Sequence, residues 1–344
     1  MMEDRPTPRQ IAKGLLNGIP PSRPLLLPIV FSLGAKVENV PLASFLENPT
    51  KISSSLRQMQ SHLRLDGVSC YFDFYLEVEA LGAKVERRED LESALIHWPR
   101  PIEPGGMLEG LCSPEEAAQK GRVPIATEVL RRMNALPNRD FLLMAGVNGP
   151  MTLASQIVQR EGNGKVQFED LSSSVQDYAA SVVTQIASAF LVAGADLIII
   201  QEQILPALTS QTCEAWANLL APTINVIRFY EALPVLQVSP MRSVLQNWDA
   251  IVQQRWDCVV SLPFEALASR EAGGSAPTNK MTMGISLSSA TFGPEGSDGE
   301  EILPILKPVV SRLRPAVLTT TGDVPAMTEM KRLVQILGEV PRAF

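Results

Sequence analysis

Short apolar segments alternate with longer amphipathic segments along most of the chain. Eight apolar segments have the length and composition of buried strands, at residues 25–31, 67–74, 141–147, 195–200, 233–238, 258–262, 282–287 and 316–319. Strands that alternate with helices predict an α/β fold with a parallel sheet. Eight such strands are the number that closes a (β/α)₈ TIM barrel. We therefore predict one barrel domain over residues 1–344.

The segments between the strands show the apolar spacing of amphipathic helices, most clearly at residues 172–193, 212–220, 244–254 and 300–313. A lead-in helix and turn are expected within residues 1–22, because Thr7 can cap a helix and Pro8 suits its first turn. Residues 100–121 are rich in Pro, Gly and Glu. They predict an irregular loop, which is either a lid or a solvated segment.

Composition excludes several classes of protein. A net charge of −7 argues against nucleic-acid binding, since phosphate recognition requires a basic surface. The chain shows neither a signal-peptide core nor an apolar run long enough to span a bilayer, so a cytoplasmic protein without membrane contact is expected. The four cysteines are scattered and predict buried free thiols rather than disulfides or a structural zinc site. The sequence leaves the oligomeric state undecided, and a homodimer is one possibility.

Catalytic groups of such a barrel come from the carboxyl ends of its strands. The polar residues at or just beyond these predicted ends are Asp73, Asn148, Thr152, Glu202, Gln237, Ser239, Ser261, Ser286, Thr320 and Asp323. His62 and His97 lie elsewhere, which disfavours a histidine-based catalytic triad.

Asp73 and Glu202 are the predicted catalytic residues. Asp73 stands among aromatic residues, where a carboxylate is costly unless it has a partner. The alternative interpretation is that Asp73 caps a helix or pairs with an arginine. The nearby Glu77 and Glu79 are expected on the next helix, in solvent.

Several segments together resemble the uroporphyrinogen decarboxylase superfamily, which also contains corrinoid-dependent methyltransferases. They are residues 7–24, the Asp73 to Ala80-Leu81-Gly82 segment, Gly149-Pro150-Met151-Thr152-Leu153-Ala154-Ser155, Gly194-Ala195-Asp196 and Thr321-Gly322-Asp323-Val324-Pro325. The resemblance covers nearly the whole chain and implies a (β/α)₈ barrel. It also implies that Asp73 matches the ligand-binding aspartate of the decarboxylases.

The departures from the family pattern affect both branches. The arginine-rich segment of the decarboxylases is replaced by residues 30–34, which contain no arginine, and their tyrosine is replaced by Gln156. The methyltransferases bind zinc through His-x-Cys and a later cysteine. Here Gln237-Val238-Ser239 and Gly322 occupy those places, so we expect no metal, and in particular no zinc.

The favoured hypothesis is an enzyme: a zinc-independent, methyltransferase-like member that holds no resident cofactor. It would act with a corrinoid or tetrahydrofolate as co-substrate, with a corrinoid protein as a candidate partner. Asp73 would hold or protonate the ligand, and Glu202 would be a general acid or base. Substrate contacts are expected from Asn148, Thr152, Gln156, Gln237, Ser239 and Asp323.

Two alternatives remain, and the barrel mouth should separate them. Decarboxylation of a tetrapyrrole would require a pocket near Asp73 lined by arginines; Arg87, Arg88 and Arg122 are available in sequence. A non-catalytic relative that binds a ligand or a partner would have its pocket filled by side chains such as Phe31, Phe72 and Met144. A neutral, open pocket would favour methyl transfer.

Overall fold

The computed structural model of the protein describes residues 6–87, 94–99, 108, 110–158, 171–270, 281–293 and 299–339. The strands in these residues are β1 (Leu25–Leu27), β2 (Gly67–Tyr71), β3 (Lys84–Arg87), β4 (Ala94–His97), β5 (Leu142–Asn148), β6 (Leu197–Glu202), β7 (Leu233–Val238), β8 (Val259–Pro263), β9 (Thr282–Leu287) and β10 (Val317–Thr320). β3 and β4 pair as an antiparallel hairpin.

The other eight strands form one parallel sheet in the order β1-β10-β9-β8-β7-β6-β5-β2. The two edge strands, β1 and β2, are joined by Asp66. Its backbone N–H donates to the carbonyl of Leu26 (3.2 Å), and its Oδ2 accepts from the N–H of Leu26 (2.8 Å). Arg23 in turn binds Asp66 Oδ1 at 2.9 Å. The sheet is therefore a nearly closed (β/α)₈ barrel, and the predicted fold is confirmed.

Helices surround the barrel. They are α1 (Pro8–Leu16), α2 (Leu33–Val37), α3 (Leu42–Leu46), α4 (Pro49–Leu63), α5 (Leu76–Ala80), α6 (Pro114–Ala117), α7 (Val123–Asn134), α8 (Pro150–Val158), α9 (Ser173–Val192), α10 (Ser210–Phe229), α11 (Met241–Gln246), α12 (Trp248–Gln253), α13 (Phe264–Arg270), α14 (Gly299–Leu313) and α15 (Met330–Glu339). None of the helices described is long and apolar enough to cross a membrane.

Two helix predictions were wrong in their bounds. α10 continues through Pro222 to Phe229, although proline removes a backbone donor inside a helix. The predicted helix 244–254 is instead two helices that meet at Asn247. There, Asn247 Oδ1 accepts from the N–H of Leu208 (2.8 Å) and Nδ2 donates to the carbonyl of Pro206 (2.9 Å). This side chain holds the loop after β6.

The predicted irregular loop at residues 100–121 is only partly described. Residues 100–107 and 109, on which its interpretation as a lid depends, lie outside the described residues. Its later part contains α6, which is capped by Ser113 through a hydrogen bond from the N–H of Glu116 (3.2 Å). Cys112 in this segment is half-buried, whereas Cys70, Cys213 and Cys258 are buried thiols.

Large apolar side chains pack against glycines inside the lower barrel. A Cβ added to Gly146 would lie 2.8 Å from the ring of Phe72, and one added to Gly67 would lie 2.7 Å from Met144 Sδ. The glycines thus leave room that Phe72 and Met144 occupy. These contacts are those of a packed barrel core, as is usual for this fold.

Candidate functional site

A cavity of about 580 Å³ opens at the carboxyl ends of the barrel strands; we call it the mouth cavity. Its lining residues are Phe74, Gln203, Ile204, Ser239, Pro240, Met241, Pro263, Glu265, Ser288 and Thr321. They lie at or just beyond the ends of six barrel strands. Glu265 is the one charged side chain among these lining residues. The mouth cavity lies where barrels of this class carry their active sites.

Of the eight residues predicted for the site, Ser239 lines the mouth cavity. It follows β7 directly, and its N–H donates to the carbonyl of Glu202 (2.9 Å). The Ser239–Pro240 peptide bond is cis. The other seven predicted residues are not among the lining residues.

Asp73 is buried in an ion-pair network with two arginines and Glu79; we call these four residues the Asp73 cluster. Asp73 Oδ2 accepts from Arg122 Nη2 (2.5 Å) and Arg87 Nη2 (2.7 Å). Glu79 Oε2 accepts from Arg122 Nη2 (2.7 Å), and Asp73 Oδ1 accepts from the N–H of Tyr75 (3.0 Å). Two carboxylates face two guanidinium groups, so the charges of the cluster cancel.

The arginines of the Asp73 cluster are not free to bind an anionic ligand. The side chains of Arg122 and Arg87 are 7% and 15% exposed, and neither lines the mouth cavity. The structure therefore brings two arginines to Asp73, as tetrapyrrole decarboxylation would require, but both are bound to carboxylates of the protein. The contacts match the alternative in which Asp73 pairs with an arginine.

Glu202 is fully buried at the first turn of α8. Its Oε1 accepts from the N–H of Met151 (3.1 Å) and Trp216 Nε1 (2.9 Å). Its Oε2 accepts from the N–H (2.9 Å) and the hydroxyl (2.7 Å) of Thr152. Burial raises the pKa of Glu202, and these four donors oppose that shift. A Cβ on Gly149 would lie 2.1 Å from Glu202 Cδ, so glycine is required there.

Glu202 and Thr152 together position the loop after β6. Thr152 Oγ1 accepts from the N–H groups of Gln203 (2.9 Å) and Ile204 (3.1 Å), and both of these residues line the mouth cavity. The role of Glu202 as a general acid or base stays a prediction; its contacts favour a positioning role.

A second buried network joins Asn148, Gln156 and Glu77. Asn148 Nδ2 donates to Glu77 Oε2 (2.9 Å), to Gln156 Oε1 (3.2 Å) and to the carbonyl of Phe74 (2.7 Å). Gln156 Nε2 also donates to the carbonyl of Phe74 (3.1 Å). Phe74 lines the mouth cavity. Asn148 and Gln156 thus fix the cavity wall on the β2 side.

The expectation that Glu77 and Glu79 are solvated was wrong. Both lie on α5 as predicted, but Glu77 is 1% exposed and Glu79 belongs to the Asp73 cluster. Glu77 Oε1 accepts from the N–H of Asn148 (2.8 Å). Burial raises the pKa of Glu77 to about 8 against the opposing effect of that donor. The short helix α5 packs against α8, α9, β3 and β5, which buries Glu77 and leaves the side chain of Glu79 23% exposed.

Asp323 and Gln237 hold turns at the rim of the barrel. Asp323 Oδ1 accepts from the N–H of Phe31 (2.7 Å) and Oδ2 from the N–H of Ser32 (3.1 Å), which ties the turn after β1 to that after β10. Gln237 Nε2 donates to the carbonyl of Thr321 (2.6 Å). The described histidines, His62 on α4 and His97 on β4, do not line the mouth cavity.

The residues at the zinc positions of the resembling methyltransferases are poor zinc ligands. An amide, a hydroxyl and a glycine stand there, at Gln237, Ser239 and Gly322, and zinc prefers thiolate, imidazole and carboxylate ligands. In the part of the chain that the structure describes, no three His, Cys, Asp or Glu side chains cluster as metal ligands. The absence of zinc stays a prediction that rests on this donor set.

The sequence prediction missed Gln203, Met241, Glu265 and Ser288, which line the mouth cavity. Gln203 and Ser288 stand just past their strands, two residues after inward-facing polar side chains. Side chains two apart in a strand share a face, so extending that alternation past each strand end would have found both. Met241 and Glu265 lie on α11 and α13, which no strand pattern indicates.

The nearly closed parallel barrel, with a cavity at the carboxyl ends of its strands, places the protein in the class of (β/α)₈ barrels. A solved methyltransferase from Methanosarcina mazei shares this fold, with a TM-score of 0.77 over 98% of both chains at 18% identity. A B12-independent methionine synthase from Shewanella sp. W3-18-1 matches 87% of this chain and 89% of its own, with a TM-score of 0.51 and 11% identity. At these identities the likeness shows the fold alone.

The sequence comparison gives the family. The uroporphyrinogen decarboxylase (URO-D) family model matches residues 12–226, more than half of the chain, and the protein belongs to this family.

The relatives that match this chain in sequence indicate which branch of the family it resembles. Two methylcobamide:CoM methyltransferases, both named MtaA and from Methanosarcina barkeri, are 26% and 25% identical to this chain over 210 and 215 residues. The match covers 60% of this chain and 58% of each relative. The predicted resemblance to the methyltransferase-like branch of the family is therefore confirmed.

Proposed function

We propose that the protein is a methyl-transfer enzyme whose substrate binds in the mouth cavity, with a corrinoid or tetrahydrofolate as co-substrate and without zinc. The observation that carries the proposal is the nearly uncharged, open cavity at the strand ends of a URO-D family barrel. Its lining suits a weakly charged substrate, because a charged group would find few partners there. The relatives named as methylcobamide:CoM methyltransferases support the corrinoid.

In the direction from a methylated corrinoid, the carbon–cobalt bond breaks and both of its electrons stay on cobalt. The acceptor supplies the electron pair of the new bond to the methyl group and loses a proton. Glu265 is the carboxylate that lines the cavity and is exposed to solvent, so we assign the acceptance of that proton to Glu265. Ser239 contacts the substrate, while Asp73 and Glu202 act through the residues that they position.

The partner proposal follows from the same relatives. An open mouth cavity with a half-exposed rim at Met241 leaves room for a corrinoid that another protein carries. We therefore keep a corrinoid protein as the proposed macromolecular partner.

The two alternatives lose support at the barrel mouth. A uroporphyrinogen-like substrate needs cations for its carboxylates, and two of the candidate arginines, Arg87 and Arg122, are bound within the Asp73 cluster. The third candidate, Arg88, lies outside the described residues. A pocket filled by its own side chains would favour a non-catalytic relative. Phe72 and Met144 fill the lower barrel, and Phe31 packs on Tyr71 with ring centroids 5.0 Å apart, yet the mouth cavity stays open above them.

The test is a calorimetric titration of methylcobalamin, tetrahydrofolate and a porphyrinogen analogue into the protein and two variants. Ser288→Leu places three more carbon atoms in the mouth cavity, and Ser44→Leu makes the same change at an exposed position on α3. We expect methylcobalamin or tetrahydrofolate to bind, and Ser288→Leu alone to weaken binding about tenfold or more. Binding of the porphyrinogen analogue alone, or of no ligand, would contradict the proposal.

A further inference from the structure

Five side chains on strands β6 to β10 have a buried polar atom that no described residue bonds. We call them the polar floor: Gln201 (Nε2), Gln237 (Oε1), Ser261 (Oγ), Ser286 (Oγ) and Thr319 (Oγ1). Each residue is at most 3% exposed. Buried polar atoms in folded proteins almost always have a hydrogen-bond partner, so five orphans in one place need a physical account.

The polar floor lies directly beneath the mouth cavity. Each of its residues stands two positions before a residue that lines the cavity, in the order Gln203, Ser239, Pro263, Ser288 and Thr321. Side chains two apart along a strand point to the same face. The five residues also occupy five consecutive strands of the barrel, from β6 to β10. The orphan atoms therefore lie on the strands below the cavity wall. Gln201, Gln237 and Ser261 share one row of paired positions. Ser286 and Thr319 share a second row two residues nearer the strand ends, beside Pro263.

Strand register brings the two glutamines of the floor side by side. Gln201 on β6 and Gln237 on β7 are paired Cα positions, and Gln237 is likewise paired with Ser261 on β8. On the other side, Ser286 on β9 is paired with Thr319 on β10. Neighbouring strands lie about 5 Å apart, so one small planar group can reach several of these atoms together.

The orientation of Gln237 is fixed by the protein. Its Nε2 donates to the carbonyl of Thr321, which can only accept, so its Oε1 faces inward as an acceptor without a donor. Gln201 Nε2 is a donor without an acceptor. The three hydroxyl groups can donate or accept. The polar floor is therefore complementary to a ligand group that has an N–H beside a C=O. None of the floor side chains carries a charge.

We propose that the polar floor binds an uncharged amide-like group of the substrate, as found in carboxamides, cyclic amides and the pterin ring. The ligand carbonyl accepts from Gln201 Nε2, and its N–H donates to Gln237 Oε1. The unbonded hydroxyl groups of Ser261 and Ser286 each form one further hydrogen bond with the same ligand group. A carboxylate is rejected because the floor gives it no cation and turns the carbonyl oxygen of Gln237 toward it. Gln237 and Ser239 stand at the zinc positions of the resembling methyltransferases, so hydrogen bonding replaces metal ligation there. This inference rests on the proposed function only in that the substrate enters through the mouth cavity.

The direct test compares three neutral amides with an anion of the same shape as one of them. Benzamide, nicotinamide and pterin are titrated into the protein by calorimetry and ligand-observed NMR, with benzoate as the charged match to benzamide. We expect at least one amide to bind in the millimolar range or more tightly, and benzoate to bind at least about tenfold more weakly than benzamide. Binding of benzoate as tight as that of benzamide, or no binding of any amide, would overturn the proposal.

Single-atom variants test the floor itself. Ser261→Ala and Ser286→Ala remove hydroxyl groups that have no protein partner, and the exposed Ser44→Ala is the matched control. Each floor variant should weaken amide binding about fivefold, as expected for one hydrogen bond, while Tm stays equal or rises. A lower Tm with unchanged amide binding would show that ordered water, and not a ligand group, satisfies the floor.

The same variants separate this inference from methyl transfer. If methylcobalamin binds the unaltered protein but no amide does, the amide inference fails and the methyl-transfer proposal stands. If amide binding depends on Ser261 and Ser286, but neither methylcobalamin nor tetrahydrofolate binds, the methyl-transfer proposal fails and the amide inference stands.

Discussion

Single carboxylates at the barrel mouth are held by the donors around them. Glu202 is stabilised by two backbone N–H groups, a hydroxyl and an indole N–H. Asp73 is stabilised instead by two guanidinium groups. Each buried carboxylate is therefore stabilised by hydrogen bonds. Substituting either residue would leave the donors of those bonds without an acceptor.

Removing the Glu202 carboxylate should destabilise the fold. In Glu202→Ala, the N–H groups of Met151, Thr152 and Trp216 lose their acceptor, and an unsatisfied buried donor costs about 1–3 kcal/mol. We expect the free energy of unfolding to fall by about 3 kcal/mol or more, measured by urea denaturation. The exposed Glu214→Ala on α10 should change it by less than about 0.5 kcal/mol. Equal stability of the two variants would contradict the assigned contacts.

Glu77 should make stability depend on pH. Its pKa is raised to about 8 in the folded protein from an ordinary value of 4.5, so between these values the folded state binds more protons than the unfolded state. Stability therefore falls as pH rises from about 4.5 to 8. The Glu77→Gln variant lacks this pH-dependent contribution to stability. From pH 5 to 8 it should gain stability relative to the unaltered protein, by up to about 1.4 kcal/mol per pH unit.

The measurement is urea denaturation of both proteins at pH 5, 6.5, 8 and 9, with the exposed Glu115→Gln as control. Curves for Glu77→Gln and the unaltered protein that run parallel over this range would show that Glu77 titrates as an exposed carboxylate does.

At the scale of elements, the Asp73 cluster joins three separate parts of the chain. Asp73 precedes α5, Glu79 lies on α5, Arg87 ends β3, and Arg122 precedes α7. Arg122 Nη1 also donates to the hydroxyl of Tyr71 at the end of β2 (3.2 Å). The cluster thus fixes the turn after β2, whose Phe74 lines the mouth cavity.

Breaking the cluster should cost stability. Arg122→Ala leaves Asp73 buried with one cation fewer, and removing one partner of a buried pair typically costs about 3–5 kcal/mol. We expect a Tm lower by several degrees, measured by thermal denaturation, while the exposed Arg131→Ala on α7 leaves Tm nearly unchanged. An unaltered Tm combined with lost binding of a porphyrinogen analogue would show that Arg122 serves a ligand, as decarboxylation requires.

The same elements show what a sequence can and cannot predict. All eight barrel strands follow from apolar runs bounded by turns, and the strands at 233–238 and 282–287 agree with the predicted bounds. The pairing of Asp73 with Arg122 spans 49 residues and depends on how α7 packs, which no local pattern contains. Likewise, α10 passes through Pro222 because its packing outweighs one lost hydrogen bond.

Most of the predicted site residues lie away from the lining of the mouth cavity. Polar residues at strand ends were identified, including Gln237, Ser261 and Ser286, and these now form part of the polar floor. The cavity itself begins two residues further along each strand. Sequence alternation gives the face of each side chain, but the height at which packing stops and open space begins depends on how Phe72 and Met144 fill the barrel.

At the scale of the whole molecule, the barrel and its chemistry are separable. The fold is shared with solved proteins at 18% and 11% identity, and function in such barrels resides in the strand-end residues. This member of the URO-D family carries a cavity with one charged side chain, Glu265, among its lining residues, and a layer of unbonded polar atoms beneath it. Its described residues contain no cluster of metal ligands. The central claim is that this mouth cavity performs methyl transfer without zinc.

The most direct test is a calorimetric and absorbance titration of methylcobalamin in the presence of a zinc chelator, repeated after zinc is added in excess. The account predicts that methylcobalamin binds with the chelator present and that Ser288→Leu, but not Ser44→Leu, weakens this binding. It also predicts that added zinc changes neither result, because Gln237, Ser239 and Gly322 supply no zinc ligand set. Binding that appears only after zinc is added would contradict the account.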